Sequence, residues 1–585
     1  MRRIALTLCL LATFAAAAKY DTIKNGGFEK GLKGWMPLDN SGNSKFEVEK
    51  KAVAEGKKAL HWTKSGGMPM DVLRLDLGAM PVGKKVTVAA RIKAQGVGNC
   101  WFKIFFYDDK GETIKQGGDM KAIRGTHDWK EIAIKNKVPK GTRSGAIFIL
   151  QTMAGELWID DVRLTGPGIA GAGETVKVKP KPLPGPIKSY LDSRAVKIKS
   201  LDFDGSLSDL SRLKGMLRGV RIVQLGENSH GDGECFRAKA RLVRYLHKEL
   251  GFTVLAFESG LFECEMANAL FEQGKLDDAI NGSVFGIWRT AQTRPMFEYL
   301  AASRKSKDPL ILTGFDTRGS GMLAQEYLIR LYDFVKPAGE ISTEEKLALQ
   351  RIDGKLNRAE YKPTDEERQA GIAALQHLRT LFDSKRAALD EIHGLRETAF
   401  QSRCLDNYIA RERFEYSKNE PEKMGEHGSV NLRDQQMAAN LRWLAEERYP
   451  EAKIITWGAT FHLAHNLKKV SIGGDADYYK NTRGMGESIH EWLGEKVFTI
   501  GFVAYEGEAG ILSPKFTIPA PLEGSFEELM HRYGAPLLLV PLRPRNPFAE
   551  PMLAAPMAYG RNTLGPWPEV LDALFYIQEM TASSR

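Results

Sequence analysis

The pattern of hydrophobic and polar residues changes its period partway along the chain. From residue 19 to about residue 165, polar and apolar residues alternate over short runs, as in Lys85–Val88 and Trp101–Tyr107. A period of two residues predicts β-strands with one buried face. The turn sequence Asp108–Gly111 separates two such runs and favours antiparallel pairing. We therefore predict that residues 19–165 form an all-β module, a jelly-roll β-sandwich.

Beyond residue 190 the pattern predicts strands that alternate with amphipathic helices. Val220–Leu225 and Thr253–Phe257 are apolar runs of strand length, and residues 234–250 between them carry apolar side chains at helical spacing. This order predicts a parallel pair of strands joined by a right-handed crossover. Further strands are predicted at residues 309–315 and 453–457. Residues 191–585 are therefore predicted to form an α/β domain in which helices flank a mostly parallel sheet.

Two other segments interrupt this alternation. Residues 166–190 are rich in Pro and Gly, a composition typical of a linker between domains. Residues 335–430 are charged and largely helical in pattern. They contain capping-box sequences that begin at Ser342 and Thr364, with Glu345 and Glu367 three residues later. We interpret this segment as a helical insertion that caps the α/β domain.

The first 18 residues have the pattern of a secretory signal peptide. Arg2 and Arg3 supply the positive start, an apolar run follows, and Ala15–Ala18 resembles a cleavage site. The run is too short to span a bilayer core of about 30 Å, and no later segment is long and apolar enough. We therefore expect a secreted or periplasmic protein without stable membrane insertion.

The amino-acid composition and charge exclude several classes of protein. The 585 residues are 43% hydrophobic and 27% charged, as in globular domains rather than fibrous or disordered chains. The formal charge of +10 is spread over a long chain, so we expect no nucleic-acid partner. Four cysteines follow the predicted signal peptide without a Cys-x-x-Cys spacing. We expect them to be buried thiols rather than parts of a zinc ribbon or a disulfide scaffold.

Candidate chemistry lies where the strands of the α/β domain end. Because the carboxyl ends of parallel strands share one edge of the sheet, polar residues there come together from distant parts of the sequence. The candidates at this edge are Glu227, His230, Glu258, Asp316, His462 and His465. Asp316 is as readily a structural residue as a substrate-binding one. Trp288 is a candidate for the pocket wall, although a core role is more common for a large aromatic residue.

The polar residues at this edge are compatible with three catalytic mechanisms to different degrees. A serine nucleophile is disfavoured, since the chain has no Gly-x-Ser-x-Gly elbow. The pairs Glu227 with His230 and His462 with His465 have spacings that could bind a metal, but such spacing alone is a weak signal. We favour general-base catalysis, in which a histidine deprotonates water while carboxylates fix its tautomer.

Several motifs of this domain resemble the erythromycin esterase family. They include Gly226–Gly231, Phe257–Glu258, Gly314–Asp316, Arg433–Asp434 and Trp457 with His462, and they extend from about residue 198 to residue 581. The resemblance implies hydrolysis of a small-molecule ester or lactone by histidine-activated water, with no cofactor for catalysis. By position, His230 would be the general base, Glu227 and Glu258 its polar partners, Lys239 the cation that replaces an Arg of some members, and His462 a second histidine.

One departure from the family pattern bears on the substrate. The family usually has a His-Asn-x-His segment where this chain has Ala459-Thr460-Phe461-His462. The resemblance therefore does not imply that this chain acts on a macrolide substrate. His465 could compensate, although an exposed position on the following helix is expected. Two alternatives stay open: a non-catalytic glycan-binding protein with an inactive esterase-like domain, and a metal-dependent hydrolase.

The amino-terminal module has a resemblance of its own. Asn25–Glu29, Gly31–Trp35 and Leu157–Val162 resemble the first and last strands of carbohydrate-binding modules with a galactose-binding-like fold. This implies a polysaccharide partner and a structural calcium ion held by Glu29 and Asp160 or Asp161. The aromatic residues available to stack on sugar rings are Trp35, Trp62, Trp101, Trp129 and Trp158, most of which we expect in the core.

Overall fold

The chain divides into two compact units, residues 1–181 and residues 182–585. The computed structural model describes residues 23–39, 42–67, 70–109, 111–114, 120–169, 182–356, 362–417, 428–472, 475–510, 515–519, 521–522, 524–543, 546–559 and 563–585. The predicted signal peptide, residues 1–18, lies outside the described residues, as do residues 170–181 of the predicted linker.

The amino-terminal unit is an antiparallel β-structure, so its prediction as all-β is confirmed. Its strands are β1 (Trp35–Leu38), β2 (Ser44–Glu49), β3 (Ala59–Lys64), β4 (Asp71–Ala79), β5 (Lys85–Tyr107), β6 (Lys121–Lys137), β7 (Ser144–Gln151) and β8 (Gly155–Thr165). They are hydrogen-bonded in the order β1-β4-β7-β5-β8-β3-β2, and β6 pairs with β5. The jelly-roll topology stays a prediction.

Alternation along these strands separates a buried face from an outer face. On β5 and β7, Phe102, Ile104, Ile147 and Ile149 point into the core, and their neighbours in sequence point the other way because successive side chains of a strand alternate. The unit therefore has one apolar core and one face that carries polar and partly exposed aromatic side chains.

The second unit alternates helices with strands. Its helices are α1 (Gly185–Arg194), α2 (Leu213–Met216), α3 (Gly233–Leu250), α4 (Leu261–Glu272), α5 (Leu276–Ser283), α6 (Arg294–Ser303), α7 (Tyr327–Val335), α8 (Thr343–Leu356), α9 (Asp365–Ser384), α10 (Arg386–His393), α11 (Leu395–Ser417), α12 (Gly428–Trp443), α13 (Thr460–Leu463), α14 (Met485–Leu493) and α15 (Phe526–Tyr533). Its strands are β9 (Val196–Lys197), β10 (Ile222–Leu225), β11 (Phe252–Gly260), β12 (Ile311–Asp316), β13 (Lys453–Trp457), β14 (Ser471–Ile472), β15 (Val497–Ala509), β16 (Phe516–Thr517), β17 (Leu537–Pro541), β18 (Met552–Leu553), β19 (Thr563–Gly565) and β20 (Ala573–Met580).

The main sheet of this unit is mixed. Its strand order is β12-β11-β13-β10-β15-β20-β17-β9. The neighbours from β12 to β20 pair in parallel, whereas β17 pairs antiparallel with both β20 and β9. A local run of apolar residues does not specify the direction in which a strand pairs, so the sequence did not predict the antiparallel edge formed by β17 and β9.

Local signals place several of these elements correctly. Helix α3 connects the parallel strands β10 and β11, and it ends at Gly251, whose φ of 69° suits glycine. Both predicted capping boxes are present, since Ser342 and Thr364 each exchange hydrogen bonds with the Glu three residues later. Helix α1 begins at Gly185, so the last six residues predicted as linker are helical instead.

The described residues also bear on the predictions for the cysteines and for membrane-spanning segments. All four cysteines, Cys100, Cys235, Cys264 and Cys404, are buried free thiols, as expected. None of the helices in the described part of the chain is long and apolar enough to cross a membrane.

The loops that follow β10 and β13 are joined by their backbones. Strands β10, β11 and β13 lie side by side, and Leu225 and Phe257 both pair with Trp457. Just beyond the strands, the Glu227 N–H donates to the Gly458 carbonyl at 3.1 Å, and the Thr460 N–H donates to the Glu227 carbonyl at 2.9 Å. The two loops therefore form one rigid platform at the sheet edge.

Gly226 allows this close approach, which leads to a stability prediction. A Cβ atom at this position would overlap the Thr460 side chain and lie 3.0 Å from the Thr460 Cα. We expect Gly226→Ala to lower the free energy of unfolding by about 1–3 kcal/mol, because the two loops must separate. Urea unfolding followed by circular dichroism measures this change. Gly215→Ala in α2, where nothing lies within 4 Å of the added Cβ, is the control and should leave the midpoint unchanged or higher; equal midpoints for both variants would contradict the prediction.

Candidate active site

A histidine and a buried carboxylate form the centre of the platform. His230 Nδ1 lies 3.0 Å from Glu227 Oε1, and because the carboxylate accepts, Nδ1 carries the hydrogen. Nε2 then holds the lone pair of the neutral ring, and it has no hydrogen-bond partner among the described residues. The imidazole is 41% exposed, whereas the Glu227 side chain is fully buried. This arrangement gives a histidine with a fixed tautomer and an open basic nitrogen.

Three donors from different parts of the chain compensate the charge of Glu227. His230 and the Trp288 indole N–H both reach Oε1, the latter at 2.8 Å. The Lys239 ammonium group, on α3, donates to Oε2. Lys239 is itself fully buried, and its Nζ lies 4.2 Å from the centre of the Trp457 ring. Burial opposes ionisation of Glu227, but the charges of Lys239 and His230 outweigh it and hold the pKa below its ordinary value.

The same contacts raise the pKa of His230. Burial alone would lower it, but the hydrogen bond and charge of Glu227, together with the charge of Glu258, outweigh that effect. The pKa of His230 therefore lies above its ordinary value. The ring also meets Trp288 edge-on, with 5.5 Å between ring centres. Trp288 is fully buried, as a core residue would be, and it contacts both members of the pair. Its place in the wall of a pocket stays a prediction.

A second cluster of charges surrounds Arg433 on α12. Arg433 Nε and Nη2 donate to the two oxygens of Asp316 at 2.9 and 2.7 Å. Nη2 also donates to Glu258 at 2.7 Å, and Nη1 lies 2.9 Å from His462 Nε2. All four side chains are at least nine-tenths buried. Although burial opposes ionisation, the charges of His462 and Arg433 lower the pKa of Glu258 to about 2, so Glu258 and Asp316 act here as anions that hold Arg433.

The structure gives His462 a different environment from that of His230. Its Nδ1 donates to Asp434 at 2.6 Å, and its Nε2 accepts from Arg433. Both ring nitrogens of His462 therefore have partners, so neither is left open to a water molecule. Its assignment as a second catalytic histidine stays a prediction.

His465 lies elsewhere, and the expectation that it is exposed on a helix was wrong. Helix α13 ends at Leu463, and His465 is 7% exposed in the segment that follows. Its ring stacks on His490 with 3.7 Å between centres, and burial lowers its pKa to about 4. His462 and His465 therefore belong to separate networks. Within the described residues, no group of three or more His, Cys, Asp or Glu side chains is arranged to hold a metal ion.

The structure adds three contacts that sequence reasoning did not assign. Arg433 and Asp434 were recognised as a motif, but nothing local in the sequence indicates that they contact Asp316 and His462 across the sheet edge. Ala459, where the family usually has His, donates its backbone N–H to Glu258 at 2.8 Å. The backbone at this position therefore still takes part in the site, although the imidazole is missing.

The residues predicted to bind calcium in the amino-terminal unit contact backbone N–H groups. Asp160 accepts from Ala54, Glu55 and Asp161 at 2.7–2.9 Å, and Glu29 accepts from the N–H groups of residues 57 and 58. These donors satisfy carboxylate oxygens that a cation would also use. The calcium site stays a prediction.

Of the tryptophans proposed for sugar contact, Trp35 and Trp62 lie in the core with no exposed surface. Trp158 is covered by His61, which stacks on it at 4.3 Å. Trp101 and Trp129 are partly exposed. The structure therefore leaves two of the five tryptophans open to a ligand.

The fold and the site together define a protein of α/β type whose polar residues converge at the carboxyl ends of parallel strands. The family model described as erythromycin esterase matches residues 247–579, more than half of the chain. The chain therefore belongs to the erythromycin esterase family. The match begins within α3, after Glu227, His230 and Lys239.

Named relatives agree with this membership. The chain is 29% identical over 355 residues to the putative hydrolase YbfO of Bacillus subtilis strain 168, covering 58% of this chain and 77% of that protein. It is 24% identical over 362 residues to the erythromycin esterase type II of Escherichia coli, covering 57% of this chain and 83% of that protein.

Solved structures show the same fold. A Bacillus cereus protein superposes with a TM-score of 0.55 at 21% identity, covering 68% of this chain and 98% of that one. A mutant of the erythromycin esterase EreC, in its open conformation, superposes with a TM-score of 0.53 at 17% identity, covering 66% of this chain and 97% of that one.

The contacts of His230 generate a prediction that needs no substrate. Glu227→Gln removes the charge that raises the pKa of His230, so that pKa should fall relative to the native protein. Trp288→Phe keeps the charge and removes one donor to Glu227, so its effect should be smaller. Titration of the imidazole nitrogens by NMR measures both shifts, with His377 in the same spectra as an internal control. An unchanged His230 pKa in Glu227→Gln would contradict the assigned contact.

Proposed function

We propose that this protein hydrolyses an ester or a lactone with a water molecule activated by His230. The observation that carries the proposal is the hydrogen bond from His230 Nδ1 to Glu227, which leaves Nε2 without a partner among the described residues on a ring that is 41% exposed. A general base must present an unoccupied nitrogen with the correct tautomer. Among the two histidines at this edge, His230 meets that requirement in the described structure and His462 does not.

The proposed reaction transfers one proton twice. Water donates a proton to His230 Nε2 while its oxygen forms a bond to the ester carbonyl carbon. The tetrahedral intermediate then breaks its bond to the alcohol oxygen, which takes the proton from Nε2, and a carboxylic acid and an alcohol result. Glu227 stabilises the imidazolium formed between these steps, and Lys239 and Trp288 keep Glu227 ionised and oriented.

The ester as substrate class is supported by family membership and by the name of the Escherichia coli relative. Ala459 argues for a substrate other than a macrolide, because an imidazole present in most of the family is missing from the pocket. We further propose that the reaction needs no metal ion, since the base and its orienting carboxylate come from the chain itself.

Removal of the base should abolish most of the activity. We expect His230→Ala to lower kcat/KM for a responsive ester by about 10²- to 10⁴-fold. The matched control is His377→Ala, because His377 is another half-exposed histidine that meets a carboxylate through Nδ1, here Glu345 at 2.6 Å. Hydrolysis of acylated sugars, lactones and macrolides is measured for all three proteins. Equal turnover by native protein and His230→Ala would exclude His230 as the base.

The pH profile provides an independent check on the same step. The base acts when neutral, so kcat/KM should rise with pH through a pKa that lies above the ordinary value of histidine. In Glu227→Gln this rise should move to lower pH because the imidazolium loses its anionic partner.

Activity that survives dialysis against a chelator would support the metal-free mechanism, whereas its loss and recovery with added metal would exclude it.

We also propose that the protein is exported and that its amino-terminal unit binds a polysaccharide. The outer face of β5 and β7 supports the second point, because Trp101, Phe105 and Phe148 point away from the core there. Phe105 and Phe148 meet edge-on at 4.8 Å, and all three rings are partly exposed. Aromatic faces of this kind can stack on sugar rings.

This face can be tested in the full-length protein. We expect Trp101→Ala to weaken retention on insoluble polysaccharides several-fold while leaving ester hydrolysis unchanged. Trp129→Ala, a change of the other partly exposed tryptophan, tests whether the effect is specific to this face. Undiminished retention of Trp101→Ala on every polysaccharide that retains the native protein would refute the proposed role.

A further inference from the structure

The two charge clusters at the sheet edge each leave one side chain open to solvent. In the cluster around Glu227, His230 is 41% exposed and the carboxylate and Lys239 are fully buried. In the cluster around Arg433, Arg318 is 36% exposed, while Glu258, Asp316, Arg433 and His462 are all less than a tenth exposed. The most exposed side chains of the two clusters are therefore an imidazole and a guanidinium, not a carboxylate.

Arg318 is held in place by contacts that leave part of its guanidinium available. Its Nε and Nη2 both donate to Asp316 Oδ2, at 3.2 and 3.1 Å. The guanidinium carbon lies 4.9 Å from the centre of the Phe285 ring, a cation–π distance. Nη1 has no hydrogen-bond partner among the described residues. The side chain is thus fixed by one carboxylate oxygen and one aromatic face, and it retains free donors.

Aromatic contacts connect Arg318 to His230. Phe285 lies 6.1 Å from Trp288 between ring centres, and Trp288 lies 5.5 Å from His230. The short 3-10 turn Gly286–Trp288 places these two aromatic residues next to each other. Arg318, Phe285, Trp288 and His230 therefore form one continuous series of side-chain contacts, with the cation at one end and the base at the other.

Arg433 is the main partner of Asp316. It forms a two-point ion pair with Asp316 through both of its oxygens, and it also pairs with Glu258. Arg318 shares one oxygen of Asp316 with Arg433. Because Arg433 satisfies Asp316 and Arg318 is the exposed member, the second cation is not needed to pair that buried anion.

We propose that Arg318 binds an acidic group on the substrate, so that the preferred esters or lactones carry a carboxylate, sulfate or phosphate at a distance from the reacting carbonyl. A guanidinium with free donors matches such a group in charge and geometry. Phe285 and Trp288 separate Arg318 from His230, so Arg318 recognises a remote group and does not bind the oxyanion of the reaction. This inference rests on the proposed hydrolytic function of His230.

The test compares charged and neutral esters of the same shape. The substrates are the mono-4-nitrophenyl esters of succinic, adipic and suberic acid, and the same molecules with the free carboxylate capped as a methyl ester. We expect the native protein to prefer at least one charged ester by about 10- to 100-fold in kcat/KM at low salt. Arg318→Ala should remove this preference, mostly through KM, and leave the neutral esters unchanged.

Two further variants separate recognition from support of the fold. Arg318→Lys keeps the charge without the fork of donors and should retain part of the preference. Arg330→Ala is the matched control and should behave like native protein. It removes a half-exposed arginine of α7 that is paired with Glu326. An equal loss on charged and neutral esters in Arg318→Ala, or no preference in native protein, would overturn the inference.

A binding measurement keeps this inference distinct from the proposed function. Calorimetry with suberic acid monoanilide, an amide that carries the free carboxylate, is performed on native protein, His230→Ala and Arg318→Ala. We expect binding to the first two and at least tenfold weaker binding to the third. If no ester is hydrolysed, the hydrolytic proposal fails while this result still decides the role of Arg318; equal binding, or absence of binding, in all three proteins would overturn that role.

Discussion

Glu227 carries a negative charge in a place that water does not reach, and the α/β unit is organised around that charge. A buried carboxylate is tolerated only when donors and opposite charge replace its hydration. Here the donors come from the loop after β10, from α3 and from the turn before α6. The backbone of Glu227 also joins the loop after β13. One residue thereby fixes the relative positions of four elements and of the histidine between them.

The contrast between His230 and His462 shows how environment assigns roles to identical side chains. Each imidazole donates through Nδ1 to a carboxylate, Glu227 in one case and Asp434 in the other. Arg433 occupies the second nitrogen of His462, whereas the second nitrogen of His230 has no partner among the described residues. Arg433 thereby fixes His462 within an ion-pair network, while His230 keeps a nitrogen that can act as a base. The two clusters meet through Glu258, whose charge also acts on His230.

In the amino-terminal unit, too, identical side chains have different environments. Trp35 and Trp62 are buried in the core, while Trp101 lies on the outer face. The strand period predicts that alternate residues face opposite sides of the sheet, but it does not say which side is covered. That assignment depends on pairing between β5, β7 and their neighbours, which are distant in sequence.

The sequence by itself determined that the first unit is all-β and that the second alternates helices with strands. It also determined the position of α3, both capping boxes and the polar residues at the ends of β10, β11 and β12. These features are local, because they depend on spacing within one strand, helix or turn. Tertiary structure decided the mixed direction of the sheet, the burial of His465, the contact of Arg433 with Asp316, and the open positions of His230 and Arg318. Those outcomes depend on which side chains meet across the sheet edge, and the distance between Asp316 and Arg433 along the chain leaves no local pattern from which their contact could be read.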